Sequence, residues 1–207
     1  MLKRTKGRLL LALLVVTGMA GTLKNSTLSQ QERKFCVNTL KETRSELVKS
    51  VKELSPAQLD FRPAAGKWNI RECLYHIALS EKMFSEQLQT AMKEPANPEK
   101  RSAIKFTDSE FMQMAANRQQ PATAPASLQP GKATWKSADD ALNAFKSDRS
   151  EHIKYIKNTT EDLRNHVTEL SPGAIDCYQL VLFMTAHSER HLKQIREIMA
   201  SDAFPKK

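Results

Sequence analysis

Apolar side chains recur every three or four residues in four long stretches of this chain, and the recurrence stops between them. The first stretch, about residues 29–53, carries Cys36, Leu40, Leu47, Val51 and Leu54. The second, about 69–93, carries Ile70, Leu74, Ile77, Phe84, Leu88 and Ala91. The third, about 137–160, carries Ala138, Leu142, Phe145, His152, Ile153 and Ile156, and the fourth, about 176–201, carries Leu180, Met184, His187, His191, Ile195 and Ile198. This spacing puts each set on one face of an α-helix, so four amphipathic helices are expected. Asn69 followed by Glu72 has the form of a capping box at the start of the second, and Ser137 or Asp139 would cap the third.

The interruptions are as informative as the stripes. Ser55-Pro56 stops the first helix, because the residue before proline is pushed out of helical geometry. Pro63 and Gly66 break the loop that follows, which leaves Phe61 and Trp68 to plug one end of a bundle. From Glu94 to about Lys136 prolines recur and the pattern weakens, apart from a short amphipathic piece at 108–118. A connection of that length is seldom idle in a compact domain. Its stretch Gln119–Gly131 is expected to be the least protected. The phrase ELSPAQLD (53–60) returns as ELSPGAID (169–176), and each copy would end one helical stretch and lead into the next. That suggests two helical hairpins in rough pseudo-twofold relation, or chance reuse of a good helix stop.

Four long helices with one long connection read as an all-α protein, a four-helix bundle with a long crossover between helices 2 and 3. The chain has 207 residues, enough for one domain with a sizeable core. Six glycines and 6% aromatic residues also favour helices over a turn-rich sheet.

The first twenty residues stand apart. Lys3, Arg4, Lys6 and Arg8 precede an apolar run, Leu9–Val16, and small residues follow at Gly18 and Ala20. This order is that of a secretory signal peptide, with residues 21–207 as the mature domain. The run falls short of the roughly 18–20 residues that span a bilayer, and an uncleaved N-terminal anchor is the alternative. The protein is therefore expected outside the cytoplasm, periplasmic or extracellular. Cleavage would take the net charge from +9 to about +5. The remaining charges are interspersed along helices without a basic, aromatic-laced stripe, so no nucleic-acid partner is expected. Three cysteines, Cys36, Cys73 and Cys177, are a poor disulfide framework and read as small buried side chains.

Chemistry concentrates in the histidines. His187 and His191 lie four residues apart at the centre of the fourth stripe, so their rings stack one turn apart on the same face. Two successive buried imidazoles need partners for their nitrogens, and a metal is the usual one. His76 lies about a third of a turn from the centre of the second stripe, at the edge of the buried face. His152 is single on an inward face, a core residue or a support for a site. His166 falls in a polar segment and is expected to be exposed. The run His187-Ser188-Glu189-Arg190-His191 is not the zinc-protease H-E-x-x-H, because Glu189 points about 180° away from the stripe.

Phe61-Arg62-Pro63, Gly66-Lys67-Trp68-Asn69-Ile70, Glu72-Cys73-Leu74-Tyr75-His76-Ile77 and the run from His187 to Ile195 together resemble the DinB family, over about residues 33–200. The resemblance implies a metal-binding four-helix bundle with His76, His187 and His191 as ligands of one divalent ion, Zn, Ni or Fe. It also implies kinship with thiol-dependent S-transferases and isomerases that use a low-molecular-weight thiol such as bacillithiol or mycothiol. Two functions follow. One is a metal-dependent transferase or hydrolase with an open coordination position. The other is a non-catalytic module that holds a metal for stability or captures a small ligand; a structural metal site would be closed by a fourth ligand such as Cys73 or His152. The expected partners are a small-molecule ligand or substrate and a second copy of the chain in a homodimer. No stable membrane anchor is expected after signal cleavage.

Overall fold

The computed structural model describes residues 28–206, apart from 121 and 172. The expected signal segment lies outside the described residues. The four long helices fall where the stripes place them: α1 at Gln30–Val51, α3 at Ile70–Lys93, α5 at Ala138–Asn158 and α6 at Cys177–Met199. Two short helices join them, α2 at Pro56–Asp60 and α4 at Asp108–Ala116. Side chains fix the starts. Ser29, Ser55, Asn69, Thr107 and Asp176 each head a capping box, and Ser137 accepts from the Asp140 amide at the head of α5. Such caps occupy backbone amides that the helix itself leaves unpaired. No helix among the described residues is long and apolar enough to cross a membrane.

The arrangement is a four-helix bundle, with one departure from the expected hairpins. Helices α1 and α3, consecutive long helices, both pack against α5 and α6 rather than chiefly against each other. They lie across a diagonal, as do α5 and α6, so consecutive long helices do not pack as hairpins. Two apolar clusters fill the bundle. One joins Leu40 of α1, Phe84 and Leu88 of α3, Ile156 of α5 and Leu180–Met184 of α6. The other joins Leu47, Ile70–Ala78, Leu142–Phe145 and Leu192–Ile198 at the opposite end. Between them lies a polar layer with a residue from every long helix. Arg149 of α5, fully buried, donates to both carboxylate oxygens of Glu81 in α3, to Thr43 Oγ1 in α1, and to Ser188 Oγ and the Met184 carbonyl in α6.

The two copies of the repeated phrase fold differently. The first caps and forms α2. The second makes an antiparallel pair of strands, β1 at Val167–Leu170 and β2 at Gly173–Asp176, with Val167 opposite Asp176 and Leu170 opposite Gly173. The hairpin wins because the crossover completes it: Asn97 accepts from the Val167 amide at 2.7 Å and donates to the Val167 carbonyl at 3.1 Å. His166, expected to be exposed, is half-buried beside it. Its ring nitrogens face the carbonyls of Asp162 and Glu94, 2.7 and 3.1 Å away. The three cysteines are free and buried, with burial pushing each thiol up to about 12.

Candidate metal centre

His76, His187 and His191 come together where α3 faces α6, with one ring nitrogen from each lying within 4.8 Å of the others. The His187 and His191 centroids are 4.6 Å apart, as a four-residue helical spacing dictates. His76 enters across the helix interface, 5.0 Å from the His187 ring and 4.5 Å from that of His191. It is 3% exposed rather than at the edge of the buried face. The wheel misplaced it because the wheel knows only helices, and here the crossover covers it.

The crossover also sets its chemistry. His76 Nδ1 lies 2.8 Å from the carbonyl of Leu128, in a 3₁₀ turn at Ala126–Leu128. A carbonyl can only accept, so Nδ1 carries the hydrogen and Nε2 keeps its lone pair. His191 is fixed in the same sense. Its Nδ1 lies 3.0 Å from Gln194 Oε1, and Arg118 Nη1 approaches that oxygen at 3.4 Å. Arg118 is held in turn by Glu197 at 2.7 Å. Both rings therefore turn unprotonated Nε2 atoms inward. His76 Nε2 and His187 Nε2 are 3.2 Å apart. Ligands about 2.0–2.1 Å from a tetrahedral ion stand roughly 3.3 Å from one another, so this spacing suits a shared metal.

Electrostatics agree with that chemistry. Burial lowers the proton affinity of all three rings, and neighbouring imidazoles depress His187 and His191 further, His191 to about 3. The rings are thus neutral, the form that binds metals. Aromatic walls surround them. The Trp68 ring lies 4.9 Å from His76 and 6.1 Å from His191, while Phe84 and Phe183 lie 5.6 and 5.7 Å from His187. Gly66, at φ +73°, gives the loop before Trp68 a backbone turn that a side chain would strain. Trp68 thus does more than plug an end, as Phe61 does against Phe204.

The other candidates lie elsewhere. His152 Nδ1 bonds Glu81 at 2.8 Å, and Cys73 packs in an apolar cluster, so neither belongs to the group. Glu72 caps α3 and pairs with Arg62, and Glu189 approaches Arg196 at 3.8 Å, away from the histidines.

Three neutral imidazoles facing one point inside a helical bundle, two of them buried and His187 half-buried, form a group that could hold a metal ion. Residues 39–195 match the DinB superfamily, and the chain belongs to that family. It is similar to the uncharacterized protein YuaE of Bacillus subtilis (strain 168), 24% identical over 159 residues, or 76% of this chain and 93% of that one. Among solved structures it resembles YfiT from Bacillus subtilis, described as a probable metal-dependent hydrolase with an unusual four-helix bundle topology. The TM-score is 0.58 at 15% identity, covering 84% of this chain and 89% of that chain. At that identity the likeness shows the fold.

Proposed function

We propose that the protein is an exported metal-dependent hydrolase acting on a small molecule, with one divalent ion held by Nε2 of His76, His187 and His191. The observation that carries the reading is the pair of anchored tautomers: the Leu128 carbonyl and Gln194 leave His76 and His191 with lone pairs turned to one point. An ion there, with a coordination position left open, would lower the proton affinity of a water or thiol that reached it. The chain's part is to hold three neutral donors, to keep Gln194 and Arg118 behind His191, and to exclude bulk water with Trp68, Phe84 and Phe183. A purely structural metal site would be closed by a fourth ligand, and the candidates for it, Cys73 and His152, are engaged elsewhere. The description of YfiT as a probable metal-dependent hydrolase also favours hydrolysis.

The test is a turnover screen of metal-loaded mature protein against small esters, amides and phosphoesters, with a parallel arm supplying low-molecular-weight thiols and electrophiles. Hydrolysis without added thiol, lost in His191→Ala, supports the reading. Turnover only with thiol assigns thiol-dependent transfer, and no turnover in either arm with metal bound assigns the binding module. Zn, Ni and Fe all suit imidazole donors, so elemental analysis names the ion. Export rests on the basic, apolar and small-residue order of the first twenty residues, and N-terminal sequencing of the native protein tests it, with a start near Gly21 expected. Sedimentation of the same material tests the expected homodimer.

A further inference from the structure

Four charged side chains other than histidine are buried among the described residues: Glu81, Arg149, Asp176 and Arg190. Three of them are paired. Arg149 meets Glu81 at 2.6 Å, and Asp176 accepts from Arg164 at 3.0 Å and from Arg101 at 3.3 Å. Arg190 of α6, 9% exposed, has no carboxylate in ion-pair contact among the described residues. Its one hydrogen bond there runs from Nη2 to the carbonyl of Gln120 at 2.7 Å. Glu197, the acid that acts on it from further along α6, is held by Arg118 at 2.7 Å. Burial and the charge of Arg118 weigh against the Arg190 proton, and Glu197 offsets them only in part. Buried charges are ordinarily paired, because desolvation without a partner is costly.

The free nitrogens of Arg190 are within reach of a solute. Among the described residues, Ser80 Oγ and His152 Nε2 are the only side-chain polar atoms both sealed from solvent and without a partner. Nε and Nη1 of Arg190 lack a partner and are not sealed. Arg190 stands three residues after His187 and one before His191, roughly 60° round the helix from the former. Its Cα–Cβ bond leans toward the start of α6, back along the His187 turn. After burial and the neighbouring imidazoles, its charge is a further cause of the low proton affinity of both rings. The same crossover seats all of them. Gln120 follows Arg118, whose Nη1 approaches Gln194 behind His191 at 3.4 Å, and precedes Leu128, whose carbonyl fixes His76 at 2.8 Å. The histidine group contains no carboxylate, so Arg190 adds a cation where nothing negative balances a divalent ion.

We propose, on the reading of the metal centre as a substrate site, that Arg190 anchors an anionic group, a carboxylate or phosphate, of the small molecule bound there. With one Nη2 hydrogen engaged by Gln120, one edge of the guanidinium still offers two parallel donors, which fit either oxyanion. A neutral group would leave the charge unmet, and a cation would add to it.

Binding of benzoate and of phenylphosphonate, with benzamide as the neutral comparator, is measured by calorimetry on the wild type, Arg190→Gln and Arg190→Lys. Each protein is taken with and without added zinc and checked for helix and metal content. One oxyanion or both should bind the zinc-loaded wild type, the tighter naming the group, and benzamide should bind far more weakly. Arg190→Gln should weaken anion binding about tenfold or more at unchanged metal content, as loss of a hydrogen bond to a charged group does. Arg190→Lys, which keeps the charge without the fork, should fall between. In wild type labelled with ¹⁵N-arginine and ¹⁵N-histidine, the anion should move the Arg190 Nε and His187 ring resonances together, a readout that needs no variant to fold. No anion binding, equal affinity in wild type and Arg190→Gln, or an unmoved Arg190 Nε overturns the proposal and leaves Arg190 a hydrated cation tying the crossover to α6. A wild type that takes no zinc overturns the reading of the metal centre instead, and the dependence of anion binding on Arg190 is then read in the metal-free protein.

Discussion

Arg149 and Glu81 meet inside the bundle, 0% and 2% exposed, through two parallel hydrogen bonds of 2.6 and 2.7 Å. The pair has taken both charges out of water, which by itself favours unfolding. What makes it tolerable is that Thr43, Ser188, the Met184 carbonyl and His152 meet the remaining donors and acceptors. Removing one charge should therefore hurt more than removing both. Arg149→Met is expected to cost about 3–5 kcal/mol in urea unfolding, and Arg149→Met with Glu81→Met clearly less. Equal losses in the single and double variants would mean that the pair contributes packing alone.

Gln194 holds His191 by its Nδ1–H, as a backing group orients a metal-binding imidazole. Gln194→Leu keeps the bulk and removes the acceptor. Metal affinity, read by competition with a chromogenic chelator, should fall about 10–100-fold while the helix content stays unchanged. Gln194→Glu, which keeps an acceptor, should recover most of that loss. Unchanged affinity in Gln194→Leu would show that His191 is positioned by packing against Trp68.

The depressed proton affinity of the three rings makes the metal-free protein sensitive to acid. Between the ordinary histidine value of about 6.5 and the lowered folded values, the unfolded chain binds protons that the folded chain does not. Stability is full above that window and falls as pH drops through it. Urea unfolding of the metal-free protein at pH 7, 6 and 5 should show this decline, above the range where Glu81 begins to protonate. His191→Leu should flatten the slope by up to about 1.4 kcal/mol per pH unit. An unchanged slope would mean that His191 already takes up its proton in the folded state.

The crossover should be cut by proteases between Gln119 and Ser127, ahead of buried Leu128 and Pro130. The fragments should stay associated, because α5 and α6 are the neighbours of α1 and α3. First cuts within the long helices would contradict this placement of the exposed segment.

The four helices were legible because their stripes keep one period over more than twenty residues, and the His187–His191 pair because a four-residue step needs no tertiary knowledge. The polar layer left a trace that a purely apolar stripe passes over. Leu40 to Leu47, Ile77 to Phe84 and Phe145 to His152 are gaps of two turns, and Thr43, Glu81 and Arg149 fill them on the buried face. Charged residues on a helix ordinarily mean solvent, so only partners brought from other helices reveal these as interior. The Leu128 carbonyl had no trace, since any residue would supply it. The hairpin at 167–176 escaped because four-residue strands are too short for a period, and Asn97, which completes one edge, lies seventy residues away. Trp68 was visible as a large apolar loop residue, but its place over the histidines depends on how that loop folds back on α3.

The central claim is that three imidazoles hold one ion, and metal stoichiometry tests it most directly. Elemental analysis of the wild type and of His76→Ala, His187→Ala, His191→Ala, His152→Ala and His166→Ala, each checked for helix content, is the measurement. The account predicts one equivalent of divalent metal in the wild type and in His166→Ala. It predicts no tightly bound metal in the three ligand variants, and metal retained in His152→Ala, whose ring bonds Glu81 instead. A full equivalent in both His187→Ala and His191→Ala would contradict it, making the histidines residues of the core and removing the basis for metal-dependent hydrolysis.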